Sequence, residues 1–321
     1  MERFEGRIAV VTGGGTGMGR ELVRQLAAGG VHVAMCDVSA DNMADTEVLA
    51  SAEAAAGVRL TSFVADVSDE SQVLAFRDHV AAAFDTECVH LLFNNAGIGG
   101  GGSIIADDRA EWEQTFAVCW GGVYLCTRAF LPMLLAADAG HVVNTSSVNG
   151  FWASLGPNVP HTAYSAAKFA VKGFTEALIA DFRVNAPHLQ ASVVMPGHVG
   201  TSIVINSQKA FGRDPKELTD DQLAQIRERM GKRGLDVSGA SDEDIRNVMQ
   251  MQAEQFRDAA PLSAADAARI ILAGVRDGRW RILVGDDAHA LDELVRAHPE
   301  EAYDERFEER LRERGMFGFA R

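Results

Sequence analysis

The run Thr12-Gly13-Gly14-Gly15-Thr16-Gly17-Met18-Gly19, directly after the β-branched stretch Ile8-Ala9-Val10-Val11, limits this chain more than any other feature. Glycines allow a tight turn and a close backbone approach, and helical periodicity from Glu21 puts the turn at a helix N-terminus. Free N–H groups and the positive end of a helix dipole favour an anion there, and a dinucleotide phosphate fits. A glycine-rich turn alone also has a plain structural reading. Asp37, about 20 residues on and at the end of the next strand-like run, supports the ligand reading.

Strand-like runs recur at 31–36, 60–65, 90–93, 142–145, 191–195 and 281–284. Between them, 21–28, 41–56, 70–84, 110–137 and 164–183 carry helical periodicity. Alternating strands and helices with apolar strands predict a parallel sheet covered by helices on both faces, with right-handed crossovers. No linker breaks the pattern, so residues 1–321 are expected to form a single domain. Two stretches depart from the alternation. Residues 203–260 are long, charged and partly helical, after a strand end where such folds bind ligands. The tail 299–321 is dense in Glu and Arg with Tyr303, Phe307, Leu311, Met316 and Phe317 spaced through it. It reads equally as a docking helix for a partner subunit and as a solvated terminal helix.

The net charge of −15 argues against nucleic acid and anionic membrane surfaces as partners. No apolar stretch approaches the ~20 residues of a spanning helix, and the N-terminus lacks a signal-peptide core. Cys36, Cys88, Cys119 and Cys126 are scattered without metal-ligand spacing, as expected of reduced cytoplasmic thiols, and no metal is expected.

Asp37 also discriminates between dinucleotides. Its carboxylate can accept from a ribose diol and would repel a 2′-phosphate, with no Lys or Arg in the glycine loop before Gly17 or just after Asp37 to compensate. The expected cofactor is therefore NAD. A helix N-cap or solvated loop acid is the alternative reading.

Tyr164 and Lys168 lie one helical turn apart. A phenol has a pKa near ~10, so service as a base near neutrality requires a depression of about 3 to 4 kcal/mol. One positive charge at about 4 Å, at an effective dielectric of about 20, supplies on the order of 4 kcal/mol. Lys168 can be that charge and oxidised nicotinamide a second. Without the upstream motifs the pair would read as an ordinary amphipathic helix.

Taken in order, the 12–19 loop, Asp66-Val67, Asn94-Asn95-Ala96-Gly97, Ser146-Ser147, Tyr164-Ser165-Ala166-Ala167-Lys168 and Pro196-Gly197-His198-Val199-Gly200-Thr201 resemble the short-chain dehydrogenase/reductase family. The likeness covers roughly the first 200 residues and resumes near 261–285. It implies an α/β, doubly wound, Rossmann-type sheet of seven parallel strands, with 203–260 as an extended substrate-lid insertion. It implies that Gly13, Gly15, Thr16, Gly17, Met18 and Gly19 hold the cofactor, with Asp37 and Val38 at the ribose and Asp66 and Val67 at the adenine. Asn95, Ala96 and Gly97 would line the adenosine side. Tyr164, Lys168, Pro196, Gly197, Val199 and Thr201 would border the nicotinamide half. Ser147 would bind the substrate oxygen, with Ser146 its confusable neighbour. Homotetramers and homodimers are usual, with a small alcohol or carbonyl compound as substrate.

Cys119 stands where the family usually has an Asn, whose helix offers a backbone carbonyl to a water in a proton relay to Lys168. The carbonyl survives the change, so an active enzyme with a modified relay is expected. A catalytic Cys119 nucleophile is the sharper alternative, without the constellation it needs. The stretch to Tyr164 is longer than usual, with residues 156–160 in between. His161 and His198 flank the site, as substrate contacts or as polar filling. Phe151, Trp152, Met249, Met251 and Phe256 read as an apolar lid over a hydrophobic secondary alcohol or ketone, or as packing of the insertion. Rival functions are a non-catalytic NAD-binding sensor or scaffold, and an epimerase or dehydratase with retained NAD.

Overall fold

A computed structural model describes residues 4–156, 159–232, 236–237 and 239–316. The first half builds β1 (Ile8–Thr12), α1 (Gly17–Ala28), β2 (His32–Asp37), α2 (Ala40–Glu53), β3 (Leu60–Val64), α3 (Glu70–Phe84) and β4 (Leu91–Asn94). Then come α4 (Arg109–Phe116), a π turn (Ala117–Gly121), α5 (Gly122–Leu135), β5 (Gly140–Thr145), α6 (Thr162–Asn185) and β6 (Leu189–Pro196). The rest is β7 (Val199–Gly200), α7 (Ile203–Ala210), α8 (Asp220–Lys232), α9 (Asp242–Asp258), β8 (Leu262–Ser263), α10 (Ala264–Arg276), β9 (Arg281–Val284), α11 (Asp286–Ala297) and α12 (Glu305–Glu313).

Seven strands pair in the order β3–β2–β1–β4–β5–β6–β9, all parallel. The order reverses between β1 and β4, so a crevice opens at their carboxyl ends. The glycine turn leaves β1 there, and Asn95-Ala96-Gly97 leave β4 beside it. Two apolar layers cover the sheet. Leu22, Leu26, Met35, Ile271 and Leu272 fill one face. Phe76, Phe130, Leu134 and Phe182 fill the other.

A polar brace crosses the second layer. The buried Asn94 amide donates to Asn144 Oδ1 (2.8 Å) and Thr127 Oγ1 (3.0 Å), and the Asn144 amide donates to Thr175 Oγ1 (2.9 Å). Left unpaired, each of these groups would cost the fold ~1–3 kcal/mol; paired, they fix α6 against β4 and β5. The periodicity of 110–137 conceals this brace and the π turn that interrupts the helix. By length and composition alone, Arg109–Leu135 could cross a membrane, but half of its most apolar window is buried inside this fold.

The β7–β8 ladder pairs Val199 with Leu262 and Gly200 with Ser263, so the insertion leaves and re-enters the domain at one point. Its helices have a small core of Leu218, Leu223 and Ile245, against which Met249 packs. Met249 is thus packing of the insertion, and Met251 is exposed to solvent.

The tail departs from both sequence readings. Phe307 and Leu311 are 1% and 2% exposed, packed against Trp152, Leu291 and Leu294 of the same chain. Their spacing of four on α12 gives one apolar edge, and the domain already supplies the surface that covers it. Phe317 lies outside the described residues. Phe307→Ala is expected to lower unfolding free energy in urea by ~3 kcal/mol; a change within ~0.5 kcal/mol would mean a detached, solvated tail.

Candidate active site

The glycine turn is held from two sides. Asp37 Oδ2 accepts from the Gly15 N–H (3.0 Å) and Oδ1 from the Ser39 N–H (3.1 Å). The Gly15 carbonyl accepts from Arg20 (2.6 and 2.9 Å) and from the Thr46 hydroxyl (3.1 Å). A side chain on Gly15 would meet the Asp37 carboxylate at 2.9 Å, and one on Gly19 would meet the Gly13 carbonyl at 1.9 Å. Gly13 and Gly17 have φ of +67° and +55°, where a Cβ is strained. Thr16 is the N-cap of α1, yet no side chain caps the helix. Its first-turn N–H groups remain available to an anion, and the site fits a dinucleotide phosphate.

Thr12 locks this turn to β4, its hydroxyl accepting from the Asn95 and Ala96 N–H groups, both at 3.0 Å. The Asn95 amide donates to the Thr12 carbonyl at 3.1 Å. Asp66 Oδ1 accepts from Ser68, and Val38 is exposed beyond Asp37. Val67 and Val199 are buried in the core. Pro196 ends β6; a Cβ on Gly197 would collide with the Asp287 carboxylate at 2.2 Å, and Asp287 accepts from the His198 N–H at 2.6 Å. Thr201 sits over Gly17, and Met18 packs into the core. Asn206 of α7 donates to Thr16 Oγ1 (2.9 Å), and Ser207 Oγ accepts from the Gly99 N–H (2.8 Å). Arg20, Asp287, Asn206 and Ser207 are missing from the sequence reading. Arg20 reaches Gly15 five residues away, while Asn206 reaches Thr16 across 190 residues of chain.

Tyr164 and Lys168 share one side of α6. The Lys168 side chain is buried, its Nζ donating to the Thr145 carbonyl at 2.8 Å and lying 5.3 Å from the Tyr164 ring centre. Burial pulls the Lys168 pKa below its ordinary value. Tyr164 is half-buried. Burial pushes its phenol up, Cys119 adds to that, and the Ser147 hydroxyl pulls it down. The expected depression is therefore not produced by the protein alone.

The two serines separate clearly. Ser146 Oγ donates to the Lys168 carbonyl (2.7 Å), bracing α6, while Ser147 faces Tyr164. Cys119, buried in the π turn, donates its thiol hydrogen to the Ile98 carbonyl at 3.1 Å. A Cβ on Gly97 would lie 3.6 Å from both Cys119 Sγ and Lys168 Nζ, which places all three together. The Ala117 carbonyl accepts from Gly122 across the π turn.

The histidines differ. His198 Nε2 bonds the Phe256 carbonyl (2.7 Å) and its ring packs on Phe256, which fastens α9 to the β7 turn. Phe256 is thus engaged by His198. The His161 ring packs 4.7 Å from the Tyr164 ring.

A profile of the short chain dehydrogenase family matches residues 7–211. A putative oxidoreductase, SadH, from Mycobacterium tuberculosis is 36% identical over 278 residues, 86% of this chain and 97% of that protein. A short-chain dehydrogenase/reductase from Burkholderia phymatum, solved in complex with NAD, is 30% identical with a TM-score of 0.73, covering 94% of this chain and 96% of its own. A metagenomic short-chain oxidoreductase solved with NADP is 32% identical with a TM-score of 0.53, covering 60% of this chain and 83% of its own. The chain belongs to the short-chain dehydrogenase/reductase family.

Burial holds the His161 pKa down to about 4, so its ring is neutral at pH 7. Its nuclear magnetic resonance signal is expected to titrate near 4; a midpoint near 6.5 would place the ring in water. Between pH 6.5 and about 4 the unfolded chain takes a proton that the folded one refuses, so unfolding free energy falls as pH falls through that window. His161→Gln should flatten that slope.

Proposed function

We propose that this protein is an NAD-dependent oxidoreductase moving a hydride between a nicotinamide and the carbinol or carbonyl carbon of a secondary alcohol or ketone. The observation that carries this reading is the grouping of Ser147, Tyr164 and buried Lys168 at the sheet edge beside the glycine turn. Bound nicotinamide supplies the hydride acceptor or donor and, when oxidised, a positive charge. Tyr164 takes the proton from the substrate hydroxyl in oxidation and returns it in reduction. Ser147 holds the substrate oxygen as its charge develops. Lys168 lowers the cost of the phenolate. At 5.3 Å from the ring and an effective dielectric of about 20, its charge is worth about 3 kcal/mol. That is about two pKa units, and an oxidised nicotinamide bound beside the phenol would add a second positive charge. Cys119 acts by packing, its thiol engaged with Ile98 instead of attacking substrate.

The NAD preference rests on Asp37. Its carboxylate keeps lone pairs for a ribose diol, and Arg20, the nearby cation, is committed to Gly15, Asn42 and Thr46. The hydrophobic-substrate reading loses Met249, Met251 and Phe256, so we leave the substrate as a secondary alcohol or ketone. A homo-oligomer is supported by an aromatic patch on neighbouring helices. Tyr124 is 44% exposed there and packs 6.4 Å from the Phe174 ring, and Trp120 packs edge-on to Phe174 at 5.3 Å. A cytoplasmic location is supported by four unpaired cysteines, three of them buried.

Fluorescence titration with NADH and NADPH tests the cofactor assignment. NADH should bind at least about tenfold more tightly, one unfavourable charge contact being worth ~1.4 kcal/mol; equal or reversed affinities would overturn it. With NAD and a panel of secondary alcohols, Tyr164→Phe should lower kcat by ~10³-fold or more while NADH binding stays intact. Tight NADH binding with no turnover by the unaltered protein would instead favour a sensor.

A further inference from the structure

The C-terminal segment lies outside the 7–211 stretch that the family profile covers, yet it is joined to the site by a short series of contacts. The buried Trp152 indole N–H donates to the Ala302 carbonyl at 2.7 Å, and its ring packs 5.8 Å from that of Phe307. The Ala153 N–H donates to the Tyr303 hydroxyl at 3.0 Å. On the other side, the buried Asn149 amide donates to the carbonyls of Trp152 (3.0 Å) and Ser154 (2.6 Å). The Asn149 N–H donates to Ser147 Oγ at 3.1 Å. A cavity of about 430 Å³ lies between Ser154 and Pro160 of the loop and Asp304 and Glu308 of the tail. Beside the shared apolar cluster, Trp152 and Tyr303 supply hydrogen bonds that join the loop to the tail.

We propose that the tail is a clamp for the Ser147 turn, with Trp152 and Tyr303 as positioning residues. Holding Trp152 fixes Asn149, and Asn149 fixes where the Ser147 hydroxyl points. This rests on the role given above to Ser147. Ala302, Tyr303 and Phe307 then act on the reaction without touching substrate.

The test uses the full chain. Trp152→Phe removes the indole donor and keeps an aromatic ring. Tyr303→Phe removes one hydroxyl from a side chain that is 67% exposed, so it keeps the test intact if the first variant fails to fold. Hydrogen exchange at the Asn149 and Gly150 amides should speed up about tenfold in Trp152→Phe, less in Tyr303→Phe, and stay unchanged in β1. With a secondary alcohol and NAD, Trp152→Phe should lower kcat about tenfold, and Tyr303→Phe about threefold, with NADH affinity unchanged. In a Ser147→Ala background each should change kcat by less than about twofold, because the clamp acts through that hydroxyl. Unchanged exchange, or equal losses of kcat in both backgrounds, would overturn the clamp. If no alcohol is turned over, the oxidoreductase reading fails separately and the exchange result still decides the clamp.

Discussion

A lysine ammonium buried beneath the carboxyl edge of the sheet is the constraint around which this structure is arranged. Removing such a charge from water costs several kcal/mol, and one carbonyl at 2.8 Å with an aromatic ring at 5.3 Å replaces little of its hydration shell. The position holds because α6 cannot move away. Thr175 is tied to Asn144, and Ser146 is tied to the Lys168 carbonyl itself. Both anchors come from β5 or the residue just after it. The strand that presents the Thr145 carbonyl thus also fixes the helix that carries Lys168.

The same logic extends to the crevice between β1 and β4. Asp37 grips the N–H of Gly15 while Arg20 and Thr46 grip its carbonyl, so the two peptide planes flanking Gly15 are set before any ligand arrives. Thr12 ties that turn to Asn95 and Ala96. α7 then reaches back through Asn206 and Ser207 to both rims. Preorganisation of this kind spares a bound dinucleotide the entropy of ordering the loop.

Much of this was legible in sequence, for physical reasons. The β-branched runs and glycines define β1, its turn and α1, since only that order puts free N–H groups at a helix start. The seven parallel strands follow from apolar runs alternating with helices. Tyr164 and Lys168 read as neighbours because i and i+4 share a helix face. What stayed hidden depends on tertiary partners. The π turn at 117–121 leaves no periodicity signal in so short a stretch. α10 and α11 carry no motif that ties them to the site. Phe307 and Leu311 pattern like any amphipathic helix, and sequence does not say whether self or partner covers them. Met249 failed as a lid residue for the same reason, its partners being the insertion's own core. The direction of the Tyr164 pKa turned on burial, which spacing does not reveal.

The most direct measurement is ultraviolet titration of the Tyr164 phenol, with and without NAD. The chain has three tyrosines, so the difference between the unaltered protein and Tyr164→Phe isolates one phenol. The account predicts a free-protein pKa above the ordinary ~10, falling by about two units or more once NAD is bound. A phenol that titrates at the same pH in both states would contradict the claim that Tyr164 serves as a base only when the buried lysine is joined by a second positive charge.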